Sequence, residues 1–137
     1  MGRAAPDPIA ALARMGCDIG TTLRDTYAGD RTFYVAMLGK LAKSTAIARM
    51  RGALDSGDAE ELFSASHNLK GVYASLGLTP LHALCGEIVE IARAGGLDGA
   101  AERIERLEKM HGEVLAVAGA VDAGPPGPAG PASTNLK

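Results

Sequence analysis

The sequence predicts an all-α protein, an antiparallel up-down four-helix bundle with an additional short N-terminal helix. Apolar residues recur at three- and four-residue steps along most of the chain, which is the spacing of a helix face. Aromatic residues make up only 4% of the 137 residues and tryptophan is absent. The core must therefore be aliphatic, which suits helix packing better than a β-sandwich. Helix start and stop residues follow one another at short intervals, as in a bundle with short loops.

Three helical stretches are predicted in the first half of the chain. A short helix begins near Pro8 and carries Ile9 and Leu12, and a second spans residues 18–27. Asp30 is the predicted N-cap of a long helix of about 25 residues, because aspartate accepts hydrogen bonds from the free N–H groups of a first turn. That helix ends at Ser56-Gly57, and its predicted buried face consists of Phe33, Met37, Leu38, Leu41, Thr45 and Ala48.

Three further helices are predicted in the second half. Asp58 and Glu61 have the spacing of a capping box and begin a helix that ends at Gly77. Thr79-Pro80 begins the next helix, since proline is favoured at the first helical position. Asp98 is the predicted cap of the last helix. The apolar faces of these last two helices are Leu81, Leu84, Cys85, Ile88 and Ile91, then Ile104, Leu107, Met110, Val114 and Val117.

Composition narrows the domain organisation and the classes of partner. We expect an N-terminal segment with a short helix (1–14), a helical bundle (15–121) and a disordered Pro/Gly-rich tail (122–137). A net charge of −2 argues against a nucleic-acid partner. No apolar run approaches the ~20 residues that span a bilayer, and the first residues lack the apolar centre of a signal peptide. A cytoplasmic location is therefore expected. Cys17 and Cys85 lack metal-ligand spacing, and Cys85 is predicted to be a reduced core thiol.

His67 is the most informative residue. Its helix has a predicted core face of Leu62, Ser66, Leu69, Tyr73 and Leu76. His67 falls nearly opposite that face, so its imidazole should project into solvent. Small residues, Ser64 and Gly71, lie one turn away and Ala74 lies a further turn along. A glycine inside a helix costs about 1 kcal/mol relative to alanine, and close approach of a large partner to His67 would compensate.

The residues around His67 favour nucleophilic chemistry over the alternatives. Acid–base catalysis normally needs a pocket and an orienting carboxylate, and metal binding needs clustered ligands. An imidazole that attacks phosphorus needs exposure, a nearby cation and space for the donor. Lys70 supplies charge, Gly71 and Ala74 supply space, and the side chains of Ser64 and Asn68 offer hydrogen bonds. From these residues alone, an incidental surface histidine stays an open alternative.

Residues 67–77 resemble the H-x-[LI]-K-G-x-x-x-x-[LI]-G signature of histidine-containing phosphotransfer (HPt) domains of two-component phosphorelays. The similarity covers roughly residues 15–118. It includes Gly29-Asp30-Arg31-Thr32-Phe33-Tyr34, Gly57-Asp58 and Gly95-Gly96-Leu97-Asp98. Two departures are Tyr73, at a position that is often Ala or Ser, and Asn68, which replaces a frequent Ser. We expect Tyr73 to fill the core with its hydroxyl reaching the surface.

The resemblance implies that His67 accepts a phosphoryl group from an aspartyl phosphate of one receiver domain and passes it to another. It implies that Lys70 offsets phosphoryl charge and that Gly71 admits the receiver. Such a protein is a phosphocarrier without kinase activity or a cofactor of its own, and Mg²⁺ would belong to the receiver. Partners would be receiver domains of response regulators and hybrid histidine kinases. The chain resembles a stand-alone shuttle.

An apolar docking surface is expected near His67. Its candidate residues are Phe63, Ser64, Asn68, Ala74 and Ser75, with Ile9 and Leu12 from the N-terminal helix. A second hypothesis is a non-catalytic adaptor or inhibitor that binds a kinase or receiver while His67 is incidental. A third, a metal- or ligand-binding bundle, has little support because the predicted inward faces carry almost no polar ligands.

Overall fold

The computed structural model describes residues 8–123, which fold into helices without a strand. The elements are α1 (Pro8–Arg14), α2 (Ile19–Tyr27), α3 (Arg31–Gly39), a 3₁₀ turn (Lys40–Lys43), α4 (Ala46–Ser56), α5 (Ala59–Ser75), α6 (Thr79–Arg93) and α7 (Ala100–Ala123). The predicted all-α class is confirmed, while the finer four-helix arrangement stays a prediction. Of the predicted disordered tail (122–137), residues 122 and 123 belong to α7. The rest of the tail lies outside the described residues, as do residues 1–7. Among residues 8–123, no helix is both long enough and apolar enough to cross a membrane.

The central helix of the core is α5, which packs against α4 on one side and α6 on the other, while α7 packs against α6. Its predicted core face is confirmed, with Leu62, Ser66, Leu69 and Tyr73 buried. Burying each leucine contributes about 1.5–3 kcal/mol, so this face holds α5 in one orientation. The opposite face of α5, which carries His67, is thereby directed outward.

The predicted long helix from Asp30 to Ser56 is wrong, because the chain breaks into α3, a 3₁₀ turn and α4. Gly39 weakens the helix at this point, and the Ser44 hydroxyl accepts a hydrogen bond from the Ala46 N–H at 3.2 Å, which starts a new helix. The break rotates the faces before and after it. Phe33 is therefore half exposed and Thr45 and Ala48 are exposed, whereas Tyr34, Ala46 and Met50 join Leu38 and Leu41 in the core.

Two of the three predicted aspartate caps are confirmed. The Asp58 carboxylate accepts a hydrogen bond from the Glu61 N–H at 3.0 Å, and Asp30 accepts one from the Phe33 N–H at 2.9 Å. The Glu61 side chain does not complete a capping box, because it pairs with Arg49 of α4 at 2.7 Å. The last helix begins at Ala100, so Gly99 and not Asp98 directly precedes its first residue.

The C-terminal end of α5 is tied to the N-terminal elements. Gly77 has a φ of +69° and its carbonyl accepts a hydrogen bond from the Asp18 N–H at 3.0 Å. A Cβ atom at Gly77 would lie 2.6 Å from the Asp18 carbonyl oxygen, so glycine is required by both conformation and space. The buried Tyr34 hydroxyl donates to the Leu76 carbonyl at 2.6 Å. These contacts fix the end of the helix that carries His67.

The core is more polar than predicted. The Tyr73 hydroxyl does not reach the surface: Tyr73 is fully buried, and its oxygen lies 2.7 Å from Nδ1 of buried His111. Burial lowers the pKa of His111, while a hydrogen bond to the Leu41 backbone and the charge of Glu108 act in the opposite direction. The apolar periodicity of α5 placed Tyr73 in the core correctly, but it could not show that α7 supplies the hydrogen-bonding partner of the Tyr73 hydroxyl.

Candidate functional site

His67 lies at the middle of α5 with its side chain exposed, as predicted. Its imidazole stacks on the ring of Phe63, one turn earlier, with centroids 5.4 Å apart and an interplanar angle of 11°. The ring is therefore accessible to a partner but does not stand alone in solvent. Side chains four residues apart on a helix share a face, which accounts for the contact.

Phe63, which was predicted to be an exposed docking residue, is half-buried. It packs against the buried core, and the guanidinium carbon of Arg93 lies 5.2 Å from its ring centroid. Arg93 belongs to α6 and also pairs with Glu90 at 3.3 Å. Arg93 could not be identified from the sequence, because its proximity to Phe63 depends on how α5 and α6 pack.

Lys70 is half-buried and lies along the surface of α6. Its Cε and Nζ are 3.5 and 3.8 Å from the point where a Cβ atom on Gly86 would stand, so the glycine leaves room for the lysine side chain. A glycine in the middle of α6 is the signal that could have identified this contact.

The ammonium group of Lys70 forms no salt bridge among residues 8–123. Lys70 shares a surface groove with Glu87 and Glu90. Both carboxylates bind arginines: Glu87 pairs with Arg103 at 2.8 Å and Glu90 pairs with Arg93. The Lys70 charge thus stays available for an anion beside His67.

Cys85 lies beneath this surface as a buried, unpaired thiol, as predicted. Its Sγ is 3.2 Å from the Ser66 carbonyl oxygen. Burial raises the pKa of the thiol to about 12, and the positive charge of Lys70 offsets part of that effect. The thiol is therefore protonated at neutral pH and serves as a packing group.

The helix surface on the C-terminal side of His67 is exposed and carries small residues, Gly71 and Ala74. Gly71 is exposed, and apart from its chain neighbours and the adjacent backbone of α5, a Cβ atom added there would meet no atom within 4 Å. Ala74, one turn further, is also exposed. A side chain at position 71 would thus project into the space that a partner needs in order to reach the imidazole.

The other predicted docking residues differ in their availability. Asn68 and Ser75 are exposed, although the Ser75 hydroxyl donates to the Val72 carbonyl at 2.8 Å. Ser64 is half-buried, and its hydroxyl oxygen lies 3.4 Å from a guanidinium nitrogen of Arg49. Leu12 is fully buried, so its proposed place on a docking surface is wrong.

The exposed histidine, the unneutralised lysine and the open glycine define a candidate phosphoacceptor helix. The family model for the Hpt domain matches residues 44–117, more than half of the chain, and the chain belongs to that family. Hpt domains act in phosphotransfer within two-component signalling. The matched stretch contains α4, α5, α6 and most of α7. No curated protein and no solved structure matches the chain.

Proposed function

We propose that this protein is a phosphocarrier in which His67 takes a phosphoryl group from one receiver-domain aspartate and passes it to another. The donor is a response regulator or the receiver of a hybrid histidine kinase. One observation carries the proposal: an exposed imidazole lies on one helix surface with an unneutralised Lys70 and an unobstructed Gly71. The protein is expected to act in the cytoplasm without kinase activity and without a cofactor of its own.

The transfer step uses the bare nitrogen of neutral His67. Its lone pair attacks the phosphorus of an aspartyl phosphate, a nitrogen–phosphorus bond forms, and the bond from phosphorus to the aspartyl oxygen breaks. The electron pair of that bond stays on the aspartate, which leaves as a carboxylate, while the proton of the imidazole stays on its other nitrogen. Lys70 offsets the charge on the phosphoryl oxygens. Such electrostatic stabilisation, together with positioning, accounts for most of the catalysis of phosphoryl transfer.

Transfer to a second receiver is the reverse of this step. The phosphorus leaves the His67 nitrogen and joins the carboxylate oxygen of the new aspartate, and the lone pair returns to the ring. Mg²⁺ would be held by the acidic site of the receiver. Because both half-reactions use the same surface, the two receivers must compete for it.

The test is transfer of radiolabel from a panel of phosphorylated receivers to wild type, to His67→Gln and to His82→Gln. His82 lies on α6 and is half-buried, so it controls for the loss of a partly accessible imidazole. We expect label on wild type and His82→Gln and none on His67→Gln. Label that persists in His67→Gln would refute the assignment. Receiver binding without label on wild type would favour the adaptor hypothesis.

A further inference from the structure

The aromatic ring of Phe63 has a fixed position on the surface of the bundle. Its inner side packs against the core. Its ring contacts two polar side chains, the Arg93 guanidinium from α6 at 5.2 Å and the His67 imidazole at 5.4 Å. Contact of a guanidinium with a phenyl face is worth about 0.5–1 kcal/mol at exposed sites. Phe63 is thus contacted by the core and by Arg93 of α6, and these contacts restrain the ring that lies beside His67.

Stacking restrains the imidazole without blocking its chemistry. The two rings are nearly parallel at 11°, and their centroid separation of 5.4 Å is that of an offset stack, so Phe63 flanks one side of the imidazole. The lone pair of a ring nitrogen lies in the plane of the ring and points outward from its edge. A face contact therefore leaves the attacking nitrogen free while it limits the rotation of the side chain.

We infer that Phe63 is a positioning residue for His67, held in place by Arg93, and not a contact for the partner. This inference rests on the proposed function. An exposed histidine has three staggered wells for χ1 and about two for χ2, or roughly six orientations. Selecting one of them before the donor arrives should raise the transfer rate by up to about sixfold, since reaction needs an aligned nitrogen.

Two variants separate the flat ring from simple apolar bulk. Phe63→Leu keeps an apolar side chain for the core but removes the plane, whereas Phe63→Tyr keeps the plane. We measure the transfer rate at saturating phosphorylated receiver and the half-saturating receiver concentration. We expect Phe63→Leu to lower the saturating rate, by up to about sixfold, at an unchanged half-saturating concentration, and Phe63→Tyr to keep the wild-type rate. A variant that alters only the half-saturating concentration, or neither quantity, would overturn the inference.

A second readout does not depend on any receiver. In nuclear magnetic resonance spectra, the ring current of the aromatic side chain at position 63 should shift the resonances of the His67 ring protons in wild type and in Phe63→Tyr. Phe63→Leu should lose that displacement completely, and Arg93→Gln should lose part of it. Identical His67 shifts in wild type and Phe63→Leu would overturn the positioning role. If the shifts behave as expected but wild type accepts no phosphoryl group from any receiver, the proposed function fails and the stack is only a surface contact.

Discussion

Replacing Gly71 by alanine should stabilise the protein, although this glycine belongs to the site. Position 71 lies inside α5, where glycine costs about 1 kcal/mol relative to alanine. Apart from its chain neighbours and the adjacent backbone of α5, the added methyl group would meet no atom within 4 Å, so no packing penalty opposes the gain. We expect Gly71→Ala to raise the free energy of unfolding by about 1 kcal/mol, which corresponds to about 4 °C in melting temperature for a domain of this size.

Gly77→Ala is the matched control at the other end of the same motif. Its φ of +69° disfavours any side chain by about 1–2 kcal/mol. The new methyl group would also lie 2.6 Å from the Asp18 carbonyl oxygen. This clash would push the N-terminal end of α2 away from Gly77. We expect a loss of about 2 kcal/mol or more. The two alanine variants should therefore change stability in opposite directions.

Urea unfolding followed by circular dichroism measures both effects. A change in the midpoint urea concentration, with no change in the dependence of the unfolding free energy on urea, reports a change in stability. If Gly71→Ala also destabilised the protein, the claim that the surface at position 71 is unobstructed would be refuted. A functional arm uses Gly71→Glu, which should keep the fold but block the receiver. Normal transfer by Gly71→Glu would refute the idea that the partner approaches this position closely.

Three further results are expected. Tyr73→Phe should cost about 1–2 kcal/mol in urea unfolding, because it leaves the buried His111 Nδ1 without its partner; unchanged stability would contradict that hydrogen bond. Since burial lowers the pKa of His111 below its ordinary value of 6.5, the unfolded chain binds a proton first as pH falls. Stability should be fully present above about pH 6.5 and decline below it, and His111→Asn should lose this part of the slope; a wild-type slope in that variant would contradict the assignment. Lys70→Gln should keep the fold and slow phosphoryl transfer about tenfold, as expected for loss of a charge-assisted contact, whereas exposed Lys109→Gln should transfer normally. Equal rates for the two lysine variants would exclude the charge role.

Helix α5 and the direction of His67 could be predicted because they depend on local signals. The spacing of Leu62, Leu69 and Tyr73 defines the buried face, and Asp58 marks the start of the helix. Exposure of His67 follows from the same periodicity. No knowledge of the neighbouring helices is needed for either conclusion.

The break between α3 and α4 could not be predicted from apolar periodicity. It depends on Gly39 and on the Ser44 hydroxyl, which competes with the helix for the Ala46 N–H. Because residues 30–56 were treated as one continuous helix, Phe33 and Thr45 were assigned to the buried face, whereas both are exposed. The hydrogen bond of the Ser44 hydroxyl thus contributes to a break that changes which residues are buried.

Contacts between helices make up the part of the site that the sequence does not reveal. Arg93 over Phe63, Lys70 over Gly86 and Tyr73 beside His111 each join residues at least 16 positions apart. Their meeting depends on the relative height of two packed helices, which the pattern along one helix does not contain. The motif therefore predicted the candidate phosphoacceptor and the lysine beside it, but not the groups that contact them.

The most direct test of the central claim is the position of the phosphoryl group itself. Wild-type protein phosphorylated by its receiver would be examined by ³¹P–¹H correlation spectroscopy at alkaline pH, where phosphohistidine survives and acyl phosphate is lost. We expect one phosphorus resonance that correlates with the ring protons of His67 and disappears in acid. A phosphorus resonance correlated with any other side chain, or a phosphoryl group lost in alkali, would contradict the assignment of His67 as the phosphoacceptor.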